Sequence, residues 1–326
     1  MRIAVTGSIA TDHLMVYPGR FADQLIPDRL DRVSLSFLAD TLEVRRGGVA
    51  ANIAVGLARL GLAPVLVGAA GKDFAEYDAW LQNNGVDTRA VRVSETLHTA
   101  RFVCTTDADQ NQIATFYAGA MAEARHIDLA PVAERGGVTL AVIAPDDPRA
   151  MLRHAETCRA TGLSFAADPS QQLARLDRAE TRLLVEGSRL LFTNEYEAAL
   201  LKERAGWTHD QVLDRTGTWI TTLGAGGVSV ARRDRPTLRV AAVPTDAALD
   251  PTGVGDAFRA GFLAGAARGL PLESAAHLGC ALATLVLETV GTQEYKLVPV
   301  DLLRRIGRHY GAPAKALVEP LVGDLA

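Results

Sequence analysis

Cysteine is scarce in this sequence, and the three that occur lie far apart. Cys104, Cys158 and Cys280 form no C-x-x-C pair, so the sequence predicts neither a zinc site nor a disulfide framework. The seven histidines show no metal-ligand spacing either. We therefore expect the cysteines to be small, buried, apolar residues.

An excess of positive charge is also absent. The 326 residues include 34 Lys and Arg against 38 Asp and Glu, which gives a formal net charge of −4. A nucleic-acid-binding protein would usually be strongly basic, so this class is not favoured. No apolar run approaches the length of a membrane span, and the first residues lack a secretory-signal pattern. We expect a cytoplasmic protein with no nucleic-acid or membrane partner.

Several common catalytic motifs are missing. The sequence has no Gly-x-x-x-x-Gly-Lys-[Ser/Thr] phosphate loop and no Gly-x-Gly-x-x-Gly after its first predicted strand. It also has no Gly-x-Ser-x-Gly elbow. These absences argue against Walker-type enzymes, against the usual dinucleotide-binding fingerprint and against hydrolases built on that elbow.

Strand and helix patterns alternate along most of the chain. Short apolar runs at 3–7 and 64–68 are typical of buried strands. After residue 124 the predicted strands are 140–144, 164–168, 190–193 and 219–222, and the predicted helices between them are roughly 148–160, 174–186 and 195–204. This alternation predicts an α/β fold with a mostly parallel central sheet and helices on both faces. No linker is evident, so we expect one domain over 1–326.

Two segments do not follow this alternation. Residues 14–46 are less periodic, and 97–123 contain two alternating runs joined by a polar loop, which is the pattern of a hairpin. A two-stranded hairpin is rarely stable alone. We therefore predict that the two segments form a small sheet over the main domain, a lid, whose apolar face contacts either substrate or a second subunit.

The stretch at 250–256 carries the strongest functional pattern. It has the sequence Asp-Pro-Thr-Gly-Val-Gly-Asp and leads directly into a helical pattern. Gly253 and Gly255 allow backbone N–H groups to converge at the helix start, where the helix dipole also favours an anion. Asp256 lies within this anion site, where it could take a proton from a hydroxyl that attacks phosphorus. The alternative is that Asp256 merely caps the helix.

A second glycine pair precedes another strong helical pattern. Gly47 and Gly48 stand at the helix start, with Asn52 one turn inside it. A double glycine allows a ligand to approach the backbone closely. By sequence alone, a tight turn with a hydrogen-bonded asparagine is an equal alternative.

Polar side chains also follow two predicted strands. Gln171 and Gln172 follow Asp168 at the end of one strand, and their amides offer donors and acceptors. Asn194 and Glu197 follow the next strand and share a face of a helix start, where their oxygens suit Mg²⁺ and its water ligands. Solvated glutamines and an N-capped helix are the respective structural alternatives.

These motifs together resemble a known family. The stretch at 250–256 is similar to the C-terminal signature of the ribokinase-like carbohydrate and nucleoside kinases, the PfkB family, although Pro251 and Val254 depart from its commoner form. The segments 47–52, 194–197 and 222–227 resemble its Gly-Gly-x-x-x-Asn, Asn-x-x-Glu and Thr-x-Gly-x-x-Gly motifs. Within the family, the segments 4–13, 33–38, 168–172 and 291–294 resemble the adenosine kinases of the actinobacterial type.

The resemblance implies a ribokinase-like fold and an activity. The protein would transfer the γ-phosphoryl group of ATP to the 5′-hydroxyl of adenosine, with Mg²⁺ and with K⁺ as activator. Similar enzymes associate through the lid sheet, so a homodimer is expected. The alternatives are another nucleoside kinase or a sugar kinase of the same fold, such as an inosine-guanosine kinase or a ribokinase, and a nucleoside-sensing protein without activity.

The resemblance also implies roles for individual residues. Asp256 would be the general base, and the N–H groups of Gly253, Val254 and Gly255 would hold the phosphoryl group. The implied nucleoside-binding residues are Ser8, Asp12, Ser36, Gly48, Asn52, Phe102, Phe116, Gln171, Gln172 and Asp256, with the purine between the two phenylalanines. The implied nucleotide and metal residues are Asn194, Thr222, Gly224 and Gly227 for ATP, Asn194 and Glu197 for Mg²⁺ through water, and Asp250 and Thr252 for a monovalent cation.

Overall fold

The strands of the protein form two sheets. The structure, a computed structural model, describes residues 1–25, 32, 34–323 and 325. In chain order its strands are β1 (Ile3–Thr6), β2 (Ala10–Val16), β3 (Thr41–Gly47), β4 (Val65–Ala70), β5 (Asp87–Val93), β6 (Ala100–Thr106), β7 (Gln112–Tyr117), β8 (Leu140–Ile143), β9 (Ser164–Ala167), β10 (Leu190–Asn194), β11 (Thr218–Thr222), β12 (Val228–Ala231) and β13 (Leu238–Val240).

Helices connect most of the strands. In chain order they are α1 (Phe21–Gln24), α2 (Val49–Arg59), α3 (Ala75–Asn83), α4 (Leu129–Gly136), α5 (Pro148–Thr161), α6 (Arg178–Val185), α7 (Glu195–Ala205), α8 (His209–Leu213), α9 (Val254–Ala267), α10 (Leu272–Leu287), α11 (Pro299–Tyr310) and α12 (Ala312–Val322). Local sequence explains several helix starts. Asp147, for example, caps α5 by accepting hydrogen bonds from the N–H groups of Arg149 and Ala150, and Pro148 takes the first position, where no N–H is needed.

The larger sheet has the order β13-β12-β11-β10-β9-β8-β1-β4-β5 within the described residues. The strands from β11 to β5 are parallel to their neighbours, and β12 and β13 add antiparallel at one edge. Every residue of β1, β4 and β8 is buried, because helices cover both faces. The prediction of a mostly parallel central sheet between two helical layers is confirmed.

Side chains of the central strands feed two separate apolar clusters. Ile3 and Val5 of β1 belong to one cluster with residues of α2, α9 and α10, whereas Ala4 belongs to the other with residues of α5, α6 and α7. Successive residues of a strand point to opposite faces, which explains this alternation. The core therefore lies in two layers, one on each side of the sheet.

The smaller sheet has the order β3-β2-β6-β7. β2 runs antiparallel to β3 and parallel to β6, while β6 and β7 form the antiparallel hairpin that the alternating pattern predicts. A small sheet separate from the main one is thus confirmed, although its first strand begins at Ala10, before the predicted lid segment. Residues 26–31 and 33 of that predicted segment lie outside the described residues.

Close packing brings the N-termini of two helices together. A Cβ added at Gly56 of α2 would lie 2.5 Å from the Cβ of Ala260 in α9, and one added at Gly261 would lie 2.7 Å from the Cα of Gly279 in α10. Glycine therefore allows the three helices to approach closely. The starts of α2 and α9 consequently face one cleft beside the small sheet.

The three cysteines lie in different elements and are all buried and unpaired, as predicted. Cys104 is in β6, Cys158 in α5 and Cys280 in α10. Within the described ranges, none of the helices has both the length and the apolarity that a membrane crossing requires.

Candidate active site

A cleft of about 640 Å³ lies between the starts of α2 and α9 and the small sheet. Eleven of the residues predicted from the sequence line it: Ser8, Asp12, Gly48, Asn52, Phe102, Phe116, Gln171, Gln172, Thr252, Gly253 and Asp256. They come from five separate parts of the chain, so the fold brings together what the sequence keeps apart.

Asp256 lies in the first turn of α9. Gly253 caps the helix with a φ of 75°, a left-handed conformation that favours glycine. The carboxylate of Asp256 accepts a hydrogen bond of 2.8 Å from the side-chain amide of Asn52. Burial raises the pKa of Asp256 to about 7, although Arg259 and the bond from Asn52 act to lower it. A carboxylate with this pKa is well matched to general base catalysis near neutral pH.

The contact between Asn52 and Asp256 follows from the packing of their helices. Asn52 lies one turn before Gly56 in α2, and Asp256 lies one turn before Ala260 in α9. The two helices approach closely at Gly56 and Ala260. Residues four apart share a helix face, so this crossing also brings Asn52 and Asp256 together. The two glycine-rich starts that the sequence singles out are thereby joined in one site.

A buried ion pair supports the start of α9. Arg259 is one turn after Gly255 and donates to its carbonyl oxygen at 3.0 Å. The same guanidinium contacts both carboxylate oxygens of Asp168, at 2.6 Å from Nη2 and 2.5 Å from Nε. Asp168 is fully buried and follows β9, so the pair fastens α9 to the end of a central strand. Sequence reasoning did not find Arg259.

The small sheet presents three predicted residues to the cleft. Asp12 of β2 pairs with Phe102 of β6, and Phe102 pairs with Phe116 of β7, so the three form one row on the inner face. Along its other edge, β2 pairs with β3, and there Arg45 is the cross-strand partner of Asp12. Burial raises the pKa of Asp12 to about 6, while Arg45 acts to lower it.

The start of α2 is held against β1 and β2. The Ser8 hydroxyl accepts a hydrogen bond of 3.0 Å from the N–H of Val49, which leaves its own hydrogen available. A Cβ added at Gly48 would lie 2.6 Å from both the backbone nitrogen of Ala10 and the carbonyl oxygen of Ser8. Only glycine fits there, and its φ of 94° also favours glycine.

The paired glutamines differ in their surroundings. Gln172 is buried and donates through Nε2 to the carbonyl oxygen of Asp146 at 2.8 Å. Its Oε1 is also buried, and no described residue donates to it. Gln171 is exposed and accepts from the Ser170 hydroxyl at 2.7 Å. Gln172 therefore lines the cleft and carries a buried acceptor that no described residue uses.

Ser36 is the one predicted nucleoside-binding residue that the structure does not bring to the cleft. It is exposed and lies in the irregular segment before β3. Its neighbour Phe37 packs against Tyr17 and Phe21, with ring centroids 5.1 and 4.8 Å apart. This packing holds the segment beside Tyr17, which follows the end of β2, and Ser36 is not among the residues that line the cleft.

Asn194 and Glu197 form a capping box at the start of α7. Each side chain accepts a hydrogen bond of 2.8 Å from the backbone N–H of the other. This is the structural alternative that the sequence leaves open. Glu197 keeps its second oxygen, Oε1, within 3.3 Å of the Ser170 hydroxyl. No group of three or more His, Cys, Asp or Glu side chains that could hold a metal occurs in the described part of the chain.

The predicted nucleotide-binding turn follows β11. Gly224 is exposed, has a φ of 54°, and a Cβ added there would meet nothing within 4 Å. At Gly227 an added Cβ would lie 2.0 Å from the carbonyl oxygen of Val240 in β13, so that glycine is required for packing. Thr222 ends the strand. The turn is therefore open to a ligand at Gly224, whereas β13 closes it at Gly227.

Asp250 fits a monovalent cation poorly. Its Oδ1 accepts from the N–H of Thr252 at 2.9 Å, and its Oδ2 accepts from the N–H of Gly291 at 3.0 Å and from Arg45 at 3.3 Å. Burial acts to raise the pKa of Asp250, but these donors and Arg45 hold it below its ordinary value. Both oxygens that an ion would use already have protein donors.

A sequence profile of a known family matches most of the chain. The profile describes the pfkB family carbohydrate kinases, and the match covers residues 5–298. The chain belongs to this family. The glycine-rich starts of α2 and α9 both lie within the matched region.

Two nucleoside kinases of archaea are similar to this chain. A nucleoside kinase of Methanocaldococcus jannaschii is 30% identical over 81% of this chain and 86% of its own length. A nucleoside kinase of Methanothermobacter thermautotrophicus is 32% identical over 76% of this chain and 80% of its own length. Each alignment covers at least three quarters of this chain.

Solved structures of the pfkB family share the fold. The nucleoside kinase of Burkholderia thailandensis in complex with inosine superposes with a TM-score of 0.83 at 32% identity, over 95% of this chain and 98% of that one. The ribokinase of Thermotoga maritima superposes with a TM-score of 0.76 at 20% identity, over 93% and 98%. The expected ribokinase-like fold is confirmed.

Several residues in and around the cleft were not predicted from the sequence. Arg259 is one of them, and Met121, Arg175 and Thr292, which line the cleft, are the others. Thr292 and its neighbour Gln293 belong to a segment that contributes to the family resemblance, but the sequence alone gave them no role. Nothing local marks these residues, because their contacts join distant parts of the chain.

Proposed function

We propose that the protein is a nucleoside kinase that transfers the γ-phosphoryl group of ATP to the 5′-hydroxyl of adenosine, giving AMP for purine salvage. The observation that carries this proposal is Asp256, a carboxylate with a pKa near 7 that lies at a helix N-terminus within the cleft. The similarity to archaeal and Burkholderia nucleoside kinases supports a nucleoside as acceptor.

The chemistry requires a base and a place for the transferring charge. Asp256 would accept the proton of the 5′-hydroxyl as its oxygen attacks phosphorus. The backbone N–H groups of Gly253, Val254 and Gly255 at the start of α9 would stabilise the negative charge of the phosphoryl group. Arg259 is engaged with Asp168, so it acts on this site by holding the helix in place.

The inner face of the small sheet supports the nucleoside preference. Asp12 would accept hydrogen bonds from ribose hydroxyls, beside Gly48 and Asn52. Phe102 and Phe116 would stack against the purine, and Phe116 is 52% exposed in the protein without ligand. Gln172, whose buried Oε1 has no donor among the described residues, would accept a hydrogen bond from an N–H group of the base.

A second acceptor deserves the same test. The Burkholderia relative binds inosine, and inosine also offers an N–H group to an acceptor such as Gln172. Adenosine and inosine differ in that one has an exocyclic amino group and the other a carbonyl oxygen. We therefore keep other purine nucleosides as the alternative, and a free sugar as the more remote one.

ATP is the proposed donor. Thr222, Gly224 and Gly227 would line its site, with Asn194 beside them, and the open side of the turn at Gly224 supports this. Mg²⁺ that is bound mostly by nucleotide phosphates and water needs few protein oxygens, and Oε1 of Glu197 could accept a hydrogen bond from such a water. When bound, Mg²⁺ would neutralise charge on the transferring phosphates.

A homodimer through the small sheet is also proposed. The outer face of this sheet, opposite the cleft, carries Met15, Leu42, Val44, Val103 and Ile113. Leu42, Val44 and Ile113 are 61%, 57% and 46% exposed. An apolar face of this kind on a small sheet favours association with a second copy.

The decisive experiment is an assay of ADP formation from ATP and Mg²⁺ with adenosine, inosine, guanosine, cytidine, ribose and fructose as acceptors. We expect the highest kcat/KM with adenosine. A preference for inosine would keep the mechanism and change the assignment of the base contacts. Preferential phosphorylation of a free sugar would overturn the roles given to Phe102, Phe116 and Gln172.

A further inference from the structure

We propose that Gln293 and Trp80 are positioning residues, which fix the direction of the hydrogen bond from Asn52 to Asp256. The inference rests on the proposed function, because it concerns the proposed general base. Neither Gln293 nor Trp80 lines the cleft, so both would act through Asn52. The inference rests on a chain of hydrogen bonds that leads from Trp80 in α3 through Gln293 and Asn52 to Asp256 in α9.

The chain starts at a group that can only donate. The indole Nε1 of Trp80 lies 3.1 Å from Oε1 of Gln293. An indole N–H has no acceptor capacity, so the oxygen end of the Gln293 amide must face Trp80. The amide nitrogen of Gln293 must then face the opposite way, towards Tyr77 and Asn52.

Tyr77 provides a second, independent restraint. Its hydroxyl donates to the carbonyl oxygen of Gly47 at 2.8 Å, and a carbonyl can only accept. The hydroxyl proton of Tyr77 is thereby used, so its oxygen accepts from Nε2 of Gln293 at 2.6 Å. Tyr77 and Trp80 therefore require the same orientation of the Gln293 amide.

Gln293 transmits this orientation to Asn52. Its second N–H donates to Oδ1 of Asn52 at 2.8 Å, and Gln293 itself is fully buried. The hydroxyl of Thr292 has a single proton and lies 2.9 Å from both this Oδ1 and the carbonyl oxygen of Arg46, so the amide of Gln293 is the donor committed to Oδ1. With Oδ1 held by Gln293, Nδ2 of Asn52 points to Asp256, which it contacts at 2.8 Å.

The direction of this last bond matters for the protonation of Asp256. If the Asn52 amide were reversed, its oxygen would face a carboxylate oxygen, and that contact is favourable only when Asp256 carries a proton. The observed direction favours the ionised carboxylate, which is the form that a general base requires. The series of hydrogen bonds thus acts to lower the pKa of Asp256, whereas burial raises it.

The test uses Gln293→Leu, which removes both donors of the amide. We expect the acidic limb of the kcat/KM profile to move up by about one pH unit. Activity should then fall about tenfold at pH 6 and return close to that of the unchanged protein near pH 9. A loss of the same factor at every pH would overturn the proposal, because a merely structural role has no pH signature.

Trp80→Phe is the milder second variant, since it removes only the donor that starts the chain. We expect a shift in the same direction, of about half a pH unit. Trp207→Phe is the matched control. This buried indole packs against the guanidinium groups of Arg182 and Arg215 and is distant in sequence from Trp80, Gln293 and Asn52, so its loss should leave the profile unchanged. Equal profiles for the Trp80 and Trp207 variants would contradict the proposal.

A measurement without substrate separates this proposal from the proposed function. Protein labelled with ¹³C at the aspartate carboxyl groups allows the titration of Asp256 to be followed by NMR, with Asp256→Asn to assign the signal. We expect a higher pKa of Asp256 in Gln293→Leu than in the unchanged protein. An unaltered titration would overturn the proposal even if the enzyme is active, and a raised pKa would support it even if the acceptor is not a nucleoside.

Discussion

Arg45 donates to Asp250 across 3.3 Å and so links β3 of the small sheet to the segment that precedes α9. Arg45 and Asp250 are 22% and 15% exposed, so the pair is partly shielded from water. A monovalent cation at Asp250, which the family resemblance implies, would have to share the carboxylate with this guanidinium. The protein itself therefore supplies a positive charge at Asp250.

This competition predicts a larger effect of K⁺ when Arg45 is removed. Activity should be compared in K⁺ and in tetramethylammonium at equal ionic strength, for the unchanged protein and for Arg45→Ala. We expect the ratio of the two activities to be larger in the variant, because the ion then has no competitor at Asp250. The unchanged protein in the same assay tests the sequence-based prediction of K⁺ activation.

A control must separate this effect from a general disturbance of the small sheet. Arg101 of β6 also forms an ion pair in this region, with Asp73 at 2.6 Å, but it does not contact Asp250. Arg101→Ala should therefore show the K⁺ ratio of the unchanged protein. If Arg45→Ala gives that same ratio, the guanidinium and the cation do not compete.

Asp256→Asn tests the general base. The substitution keeps the shape of the side chain and removes the proton acceptor, so kcat should fall by about 10²–10⁴-fold. Adenosine binding, measured by calorimetry, should change little, because Asp12 and the two phenylalanines are untouched. Near-normal turnover in the variant would show that another group takes the proton.

The fold was predictable because its signals are local. Alternating apolar and helical patterns suffice for the central sheet, and the glycine pairs before α2 and α9 predict where Asn52 and Asp256 stand. Local patterns did not decide between functions for Asn194 and Glu197, since a capping box and a metal site share the same spacing.

The rest of the site depends on contacts between distant residues. Arg259 and Asp168 are 91 positions apart, and Gln293 and Asn52 are 241 apart. Nothing near Arg259 or Gln293 in the sequence marks these partners, because the contacts exist only after α9 and α2 have packed together. Ser36 shows the reverse: a residue in a segment that resembles the family lies outside the cleft.

The raised pKa of Asp256 also predicts a pH-dependent stability. A carboxyl whose pKa rises on folding stabilises the fold fully below its unfolded value of 3.8, and that contribution is lost as the pH rises through about 7. Asp256→Asn should therefore raise the melting temperature by roughly 2–4 °C more at pH 8 than at pH 5. Scanning calorimetry at the two pH values measures the difference, and an equal change at both would contradict the raised pKa.

The two phenylalanines on the inner face of the small sheet predict a loss of nucleoside binding without a loss of ATP binding. Phe102→Ala and Phe116→Ala each remove one stacking surface, which in nucleic-acid complexes contributes about 1–3 kcal/mol per base. We expect KM for adenosine to rise about 5- to 100-fold in each variant. KM for ATP is the internal control and should stay within about twofold. An equal rise in KM for both substrates would indicate a disturbed fold and not the loss of a stacking contact.

The outer face of the small sheet predicts the oligomeric state. If Leu42 lies at the centre of a dimer contact, Leu42→Glu places a charge in an apolar interface and should convert the dimer to a monomer, as measured by sedimentation equilibrium at micromolar protein. The matched control is Leu317→Glu, which changes a leucine of α12 that is 48% exposed and distant in sequence from this face. A monomer already in the unchanged protein, or equal dissociation in both variants, would contradict an interface through this sheet.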